Sequence, residues 1–314
     1  MVIRLVVALG GNALYEGTTP TEERNVRLRR TAVELADLVV AGHSIVVTHG
    51  NGPQVGERLL DREARVAAGN SGPALPLDVL VAMTQAEIGY RIQRALGREL
   101  ARRGQPTEVV ALVTQVIVAA DDPAFAAPSK PVGPRYPQRP DDTHDYTEAA
   151  DGSWRRVVAS PVPRELVEVV SITAMLDGGA VPICAGGGGI PVVAASGHLV
   201  GVEAVVDKDA TSALLARDLG AEGLLILTDV PNVFIGHGTP QQRPVRELTT
   251  GDVQDLLDSD QAASGSMGPK LAALARAAGD GREARLGQLG QAAEVVAGRA
   301  GTRVVPGPSS GLLT

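Results

Sequence analysis

The fold is most strongly indicated by the stretch Arg4-Leu5-Val6-Val7-Ala8-Leu9-Gly10-Gly11-Asn12, a short apolar strand that breaks at a glycine turn. The same pattern recurs in Ser44-Ile45-Val46-Val47-Thr48, which runs to Gly50-Asn51-Gly52, and in Val181-Pro182-Ile183-Cys184, which runs to four glycines, Gly186–Gly189. A fourth strand, Leu224-Leu225-Ile226-Leu227-Thr228, leads into Asp229. Such strands separated by helical segments predict an α/β fold with a mostly parallel sheet and helices on both faces. Ligands bind at the carboxyl ends of strands in such sheets, so we expect the four turns to meet along one edge.

Helical patterns fill most of the sequence between these strands. Thr21 is a candidate cap, with Glu22 and Glu23 in the first turn of a helix that stops at Gly42. Further helices are expected from about Asp78 to Arg103, over Arg164–Asp177, after Asp207, and near 250–258 and 268–278. Val109–Val118 is rich in β-branched residues and predicts one strand. The proline-rich segment 121–163 lacks helical periodicity and predicts a loop, lid or small subdomain.

Length and composition exclude several classes of protein. A chain of 314 residues suggests two domains or one large body in two lobes. The formal net charge of −7 disfavours a general electrostatic interaction with nucleic acid or anionic lipid. The only cysteine, Cys184, leaves no possibility of an intrachain disulfide or a four-cysteine zinc site. No apolar run is long enough for a membrane span, and the N-terminus lacks a signal peptide, so the cytoplasm is the expected location.

The three lysines are candidate site residues, because almost all basic residues of the chain are arginine. Of the 29 basic side chains, 26 are arginine, and the lysines are Lys130, Lys208 and Lys270. Lysine is a compact, flexible point charge, whereas arginine is a wide planar fork. The three lysines therefore indicate positions where the charge must follow a small moving anion. Chance survival of three surface lysines is the alternative. Lys130 lies between prolines in the predicted lid, and Lys208 and Lys270 each lie at a predicted helix start.

The glycine turns favour an anion site. Glycine lets backbone N–H groups approach an anion closely, and a helix N-terminus that follows adds a favourable potential. Plain tight turns are the alternative reading of Gly10-Gly11-Asn12 and Gly50-Asn51-Gly52, whereas Gly186–Gly189 favours a close backbone contact over a linker. His49 is interpreted as structural, because no neighbouring residue spacing suggests a metal site or a catalytic triad.

These parts are the ones that phosphoryl transfer needs. The reaction depends on positioning and on positive charge around the transferring group rather than on a covalent residue. The P-loop signature, the dinucleotide fingerprint and protein-kinase loops are all absent from the sequence. Glycine turns, three lysines and an orienting aspartate therefore predict a different kind of phosphotransferase site.

Longer motifs resemble one family, the carbamate kinases of the amino-acid-kinase superfamily. The resemblance covers nearly the whole chain in family order, and its last three motifs are specific to carbamate kinases. The matching stretches are Val7-Ala8-Leu9-Gly10-Gly11-Asn12-Ala13-Leu14, Thr48-His49-Gly50-Asn51-Gly52-Pro53-Gln54-Val55-Gly56, Ala82-Met83-Thr84-Gln85, Pro128-Ser129-Lys130-Pro131-Val132-Gly133-Pro134, Trp154-Arg155-Arg156-Val157-Val158, Gly186-Gly187-Gly188-Gly189-Ile190-Pro191-Val192-Val193, Gly201-Val202-Glu203-Ala204-Val205-Val206-Asp207-Lys208-Asp209 and Gly265-Ser266-Met267-Gly268-Pro269-Lys270.

The resemblance implies a three-layer α/β/α fold in two lobes, usually as a homodimer. Residues 1–200 would form the carbamate and carbamoyl-phosphate lobe, with a protruding subdomain over about 125–158, and residues 201–314 the nucleotide-binding lobe. The implied reaction is reversible phosphoryl transfer between ATP and carbamate, giving ADP and carbamoyl phosphate, with Mg²⁺ on the nucleotide phosphates. Formation of ATP in arginine catabolism is the expected direction.

The resemblance also implies a role for each site residue. Lys208 and Lys270 would neutralise the phosphoryl group, Asp209 would orient them, and Lys130 would reach carbamoyl phosphate from the subdomain. The implied substrate-binding residues are Gly10, Gly11, Asn12, Gly50, Asn51 and Gly52. The implied nucleotide-binding residues are Thr228, Asp229, Met267 and Gly187.

Two stretches depart from the family pattern. The segment between Pro134 and Trp154 is shorter than the usual subdomain, lacks a helix, and has Asp151-Gly152-Ser153 in place of a glycine-flanked arginine. Pro231 and Asn232 replace a more usual pair after Val230. The alternatives to a carbamate kinase are another small-acid kinase of the superfamily and a nucleotide-binding protein without turnover.

Overall fold

A computed structural model describes residues 2–10, 21–69, 75–149, 151–236, 238–259 and 267–312. Within these ranges the helices are α1 (Thr21–Val40), α2 (Gly52–Ala67), α3 (Leu77–Arg102), α4 (Val169–Asp177), α5 (Lys208–Asp218), α6 (Thr250–Asp258), α7 (Met267–Gly279) and α8 (Ala292–Val296). The strands are β1 (Arg4–Leu9), β2 (Ser44–His49), β3 (Val109–Ala111), β4 (Gln115–Ile117), β5 (Lys130–Tyr136), β6 (Tyr146–Glu148), β7 (Trp154–Val158), β8 (Glu165–Leu166), β9 (Val181–Ile183), β10 (Ile190–Ala195), β11 (His198–Gly201), β12 (Gly223–Thr228), β13 (Val233–Ile235), β14 (Arg243–Val245), β15 (Glu247–Thr249), β16 (Glu283–Gln288) and β17 (Thr302–Val305).

The main sheet confirms the predicted α/β class. Its eight strands lie in the order β15-β17-β16-β12-β1-β2-β9-β3. The pairs from β16 through β12, β1, β2 and β9 to β3 are all parallel, and the one antiparallel pair joins β16 to β17. Strands β9, β2, β1 and β12 are consecutive neighbours, so the ends of these four strands lie along one edge of the sheet.

Helices cover both faces of the main sheet. Alternate side chains of β1 point to opposite faces: Val6 and Ala8 join one buried cluster, whereas Leu5, Val7 and Leu9 join another. The first cluster includes residues of α5, α6 and α7, and the second includes residues of α1, α3 and α8. Fully burying a side chain of this kind contributes roughly 1.5–3 kcal/mol, so the two clusters fix the three layers. None of the helices in the described ranges is both long and apolar enough to cross a bilayer.

Two sequence predictions about local structure are wrong. Val109–Val118 is not one strand but two, because the chain leaves the main sheet after β3 and enters a second sheet, ordered β11-β10-β4-β8, as β4. Gln85 fixes this break, since its side-chain amide accepts from the Thr114 N–H at 2.9 Å and donates to the Thr114 carbonyl at 3.1 Å.

The helix predicted over Arg164–Asp177 begins at Val169, five residues after its predicted start. Arg164 N–H donates to the Ile117 carbonyl at 2.9 Å, and Val167 N–H donates to the Gln115 carbonyl at 3.2 Å. Pairing with β4 therefore holds these residues as strand β8, and α4 begins only at Val169.

The proline-rich segment forms a small three-stranded unit that packs on α2. Strands β5, β7 and β6 pair antiparallel within the predicted range 125–158. Gly56 of α2 meets Gly133 of β5 so closely that a Cβ on Gly56 would lie 2.1 Å from the Gly133 nitrogen. The shortened stretch closes on itself, because Arg135 Nη1 donates to Asp151 Oδ2 at 3.1 Å and to Ser153 Oγ at 3.0 Å.

A buried carboxyl group joins α1 to the turn before α8. Glu34 is 7% exposed, and its carboxyl group faces the backbone of Gly290 and Ala292. Its Oε1 lies 3.7 Å from the position that a Cβ on Gly290 would take. Burial raises the pKa of Glu34 to about 7; the backbone N–H groups of Gly290 and Ala292 oppose this only in part, and the charge of Asp37 adds to it.

Gly56→Ala should destabilise the protein and separate the subdomain from α2, because the new methyl group would overlap the backbone of Gly133. Overpacking of this kind costs roughly 1–3 kcal/mol. Gly97→Ala is the matched control, since a Cβ there meets nothing within 4 Å and alanine favours the helix interior by up to about 1 kcal/mol. Urea unfolding measures both, and equal stabilities of the two variants would contradict the close approach.

Glu34→Gln should remove a pH dependence of the free energy of unfolding. The folded-state pKa lies above the ordinary value of 4.5, so the wild type loses stability as the pH rises from 4.5 through about 7. That shift corresponds to roughly 3 kcal/mol, which the glutamine variant does not lose. Urea unfolding at pH 4.5 and pH 8 checks this, with Glu23→Gln on the exposed side of α1 expected to retain the wild-type pH dependence. Parallel pH profiles of the wild type and Glu34→Gln would refute it.

Candidate active site

The site is organised around the first turn of α5. Asp207 caps this helix, since its Oδ1 accepts from Asp209 N–H at 2.9 Å and from Ala210 N–H at 3.2 Å. Aspartate is among the preferred N-cap residues because its carboxylate satisfies backbone donors that the helix leaves unpaired. The cap places Lys208 and Asp209 together at the buried start of the helix, at 9% and 3% exposure.

Asp209 joins two lysines that are distant in the sequence. Lys208 Nζ donates to Asp209 Oδ1, and Lys270 Nζ lies 3.6 Å from Asp209 Oδ2. Lys270 is in the first turn of α7, which packs against α5, and it is only 5% exposed. The two ammonium groups predicted to act together therefore share one buried carboxylate.

Lys130 reaches the same group of charges from the subdomain. Its Nζ donates to Asp207 Oδ2 at 2.5 Å, and the two side chains are 30% and 20% exposed. Burial would raise the pKa of Asp207, but the charge and hydrogen bond of Lys130, together with the charge of Lys208, lower it to about 2.

The five charged side chains form one electrostatic cluster. Burial lowers the pKa of Lys270. The positive charges of Lys208 and Lys130 lower this pKa further, whereas the negative charges of Asp209 and Asp207 raise it. Three lysines and two aspartates leave an excess of one positive charge in a largely buried cluster. Excess positive charge in such surroundings attracts a small anion and stabilises negative charge that develops on it.

The strand ends lie beside one another, as predicted. Gly10 N–H donates to the Leu227 carbonyl at 2.8 Å, which joins the ends of β1 and β12. Gly50 N–H donates to the Leu9 carbonyl at 3.2 Å, which joins the ends of β1 and β2. Gly11 and Asn12, predicted to bind substrate, lie outside the described residues.

The four-glycine run fits between these strand ends and α5. A Cβ on Gly186 would lie 2.4 Å from the His49 ring, one on Gly187 would lie 2.2 Å from Asn51 Nδ2, and one on Gly188 would lie 2.3 Å from the Val206 carbonyl oxygen. The predicted close contact is thus made with side chains and backbone of this chain. Thr211 of α5 fixes the run by donating from Oγ1 to the Gly188 carbonyl at 2.8 Å.

His49, interpreted from the sequence as structural, is buried at the end of β2. It is 1% exposed, and its Nδ1 lies 3.0 Å from the Gly50 carbonyl oxygen. Burial, together with the charge of Lys208, lowers its pKa to about 4, so the ring is neutral at pH 7. A neutral ring leaves the positive charge of the site to the lysines.

The second glycine turn is held by its asparagine. Asn51 Nδ2 donates to Thr84 Oγ1 at 2.9 Å instead of capping α2, which begins at Gly52. Gly187, predicted to bind nucleotide, lies against this asparagine, so it belongs spatially to the turn predicted to bind substrate.

The residues predicted to bind nucleotide lie at the end of β12 and the start of α7. Thr228 is 8% exposed, and its carbonyl accepts from Leu289 N–H at 2.9 Å. Asp229 is exposed, and its carbonyl accepts from Gln288 Nε2 at 3.2 Å. Met267 begins α7 and packs partly buried against the core. Asn232, one of the departures from the family pattern, donates to the Gly301 carbonyl at 2.7 Å.

Sequence reasoning missed two supports of the site. Asp207 is the partner of Lys130, and Ser212 Oγ donates to the Lys208 carbonyl at 2.7 Å while bonding Thr48 Oγ1 at 2.7 Å. The signals were an aspartate at the N-cap position and a serine one helical turn after Lys208. The part of the chain that the structure describes contains no group of three or more histidine, cysteine or acidic side chains placed to hold a metal ion.

Comparisons with known proteins agree with this geometry. Residues 4–287 match the model of the amino acid kinase family. A carbamate kinase of Pyrococcus horikoshii is 41% identical over 312 residues, which cover 96% of this chain and 99% of the relative. The structure of a carbamate kinase from Giardia lamblia bound to citric acid has a TM-score of 0.89 at 34% identity, covering 98% of this chain and 99% of that one. The same Giardia enzyme bound to AMP-PNP gives a TM-score of 0.86 at 34% identity, with the same coverage.

The three-layer fold around a mostly parallel sheet, together with these relatives, makes the protein an ATP-dependent phosphotransferase. The chain belongs to the amino acid kinase family and, within it, to the carbamate kinases.

Gly187→Ala should lower stability and activity by more than the strain of an alanine at positive φ alone. Gly187 has a φ of +66°, and Gly197 in the β10–β11 turn has a φ of +85°, so an alanine at either position pays about 1–2 kcal/mol of backbone strain. A Cβ at Gly197 meets nothing within 4 Å, whereas one at Gly187 overlaps Asn51. We expect Gly187→Ala to lose additional stability and most phosphotransferase activity, and Gly197→Ala to keep its activity. Equal losses in unfolding and activity assays would contradict the contact.

Proposed function

We propose that this chain catalyses the reversible transfer of a phosphoryl group between ATP and carbamate, giving ADP and carbamoyl phosphate. The observation that carries the proposal is the buried bridge in which Asp209 holds Lys208 and Lys270 beside each other. The relatives that match nearly the whole chain are named carbamate kinases, which supports the choice of carbamate as acceptor.

Each side chain has a distinct part in the proposed reaction. A carbamate oxygen forms a bond to the γ-phosphorus while the bond from that phosphorus to the bridging oxygen breaks, and the electron pair leaves with ADP. The attacking oxygen already carries negative charge, so no side chain has to remove a proton from it. Lys208 and Lys270 offset the charge on the transferring group, and Asp209 keeps both ammonium groups aimed at it.

The remaining predicted residues bind and orient the two substrates. Lys130 contacts the carbamoyl-phosphate side from the subdomain. The N–H groups of Asn51 and Gly52, at the start of α2, bind its oxygens. Gly10 and Gly50, whose own N–H groups bond the Leu227 and Leu9 carbonyls, give it room to approach, and Gly11 and Asn12 stay predicted substrate-binding residues. Thr228, Asp229 and Met267 contact the nucleotide, and a Giardia relative bound to AMP-PNP supports a nucleotide of the ATP class. Mg²⁺ enters bound to the nucleotide phosphates, as part of the substrate.

The position of Gly187 favours a different role from the one first predicted. Its contact with Asn51 supports a part in shaping the carbamoyl-phosphate pocket rather than in binding nucleotide. The proposal also includes a division into a carbamate lobe, residues 1–200, and a nucleotide lobe, residues 201–314. We also propose that the protein is a cytoplasmic homodimer and that it forms ATP during arginine catabolism.

Lys208→Ala and Lys270→Ala should each lower kcat by about 10²–10³-fold or more, because each removes a charge that the transition state needs. The assay measures ATP formed from carbamoyl phosphate and ADP. Arg217→Ala is the matched control, since Arg217 is a half-exposed cation on the same helix paired with Asp218. Its activity should stay within about twofold of the wild type.

The outcomes separate the proposal from its alternatives. Full activity in both lysine variants would contradict the assigned roles. A wild type that phosphorylates another small acid but not carbamate would make the chain a different kinase of the superfamily. Tight ADP binding by calorimetry without turnover in either direction would make it a nucleotide-binding protein.

A further inference from the structure

Asp207 makes two contacts of different kinds with its two carboxylate oxygens. Oδ1 caps α5 by accepting from Asp209 N–H and Ala210 N–H, at 2.9 and 3.2 Å. Oδ2 accepts from Lys130 Nζ at 2.5 Å, across 77 residues of sequence. Capping needs only one oxygen, so the second contact is an additional feature of this carboxylate.

The second contact joins the subdomain to the charged cluster around Lys208. Lys130 is the first residue of β5, and Asp207 directly precedes Lys208. The carboxylate of Asp207 therefore gives Lys130 the same kind of partner that a phosphoryl oxygen would give it. The ammonium group is compensated when no substrate is bound, and a bound phosphoryl group competes with Asp207 for it.

We propose that Asp207 is a positioning residue that holds Lys130 over the site in the empty enzyme and releases it to the incoming phosphoryl group. The inference rests on the proposed function, since it assumes a phosphorylated substrate beside Lys130. It assigns Asp207 a ground-state role: the ion pair stabilises the enzyme before binding and is broken on binding.

This role has a consequence opposite to that of structural damage. An interaction present only in the empty enzyme weakens substrate binding, because it must be lost when the substrate arrives. Removing the Asp207 charge should therefore strengthen binding of carbamoyl phosphate, whereas a damaged site binds it more weakly.

Asp207→Asn is the test, because asparagine caps helices as well as aspartate but carries no charge. The KM for carbamoyl phosphate should fall by roughly threefold to thirtyfold, the range expected for a partly buried charged hydrogen bond. The value of kcat should change less, because the ion pair is absent from the bound complex. An increase in KM, or no change, overturns the proposal.

Two further variants test whether Asp207 acts through Lys130. In a Lys130→Met background, Asp207→Asn should change substrate affinity by less than about twofold. An undiminished fall there would mean that Asp207 simply repels the substrate, which also overturns the proposal. Glu63→Gln removes another link between α2 and the subdomain, the ion pair with Arg156. It should leave KM unchanged or raise it, and a fall as large as that of Asp207→Asn would assign the effect to general loosening of the subdomain.

The composition allows a readout that does not need turnover. Because the chain has only three lysines, labelling lysine with ¹³C and ¹⁵N at the side-chain end gives three sets of NMR signals, assignable with Lys130→Met. Without substrate, the Lys130 signals of the wild type and Asp207→Asn should differ; with saturating carbamoyl phosphate, they should coincide. Identical signals without substrate, or a wild-type Lys130 signal that ignores bound carbamoyl phosphate, overturn the proposal. Failure of the wild type to bind or turn over carbamoyl phosphate refutes the proposed function instead, and the comparison without substrate still decides whether Asp207 holds Lys130.

Discussion

The structure depends on the burial of two like charges around one carboxylate. Lys208 and Lys270 are both at least nine-tenths buried, and two ammonium groups so placed repel one another and lose their hydration. Asp209 offsets both losses because its two oxygens face different lysines. Helices α5 and α7 must therefore pack in one register, since a shift of either helix would leave a charge buried without a partner.

The rest of the fold brings glycine-rich strand ends to that charged group. Parallel pairing of β9, β2, β1 and β12 places four strand ends in a row. The glycine run then lies against His49, Asn51 and the backbone of Val206, with no room for side chains. Backbone N–H groups and ammonium groups are thus held by packing before any ligand binds, which is how electrostatic preorganisation lowers a barrier.

Much of this arrangement could be predicted from local sequence. The strand-turn patterns predicted the parallel sheet and the alignment of its strand ends because apolar runs and glycines act locally, and the three lysines stood out against an arginine-rich composition. The break between β3 and β4 could not be predicted, since it depends on Gln85, a residue of α3 that binds the Thr114 backbone. The late start of α4 has the same cause: a strand partner in β4 outcompetes helical propensity at Glu165 and Leu166. The link between Lys130 and Asp207 joins residues 77 positions apart, so only the folded chain reveals it.

Strand β1 lies between β2 and β12, so it joins strands from the early and the late parts of the chain. Five consecutive residues of β1 pair with β12, and the same strand pairs along its whole length with β2. Neither half can therefore complete its own core without the other. Gene fragments divided near residue 201 would each expose a long apolar strand edge, and such fragments aggregate or reassemble rather than persist alone. The pairing of β1 on both sides therefore makes the main sheet fold as one cooperative unit.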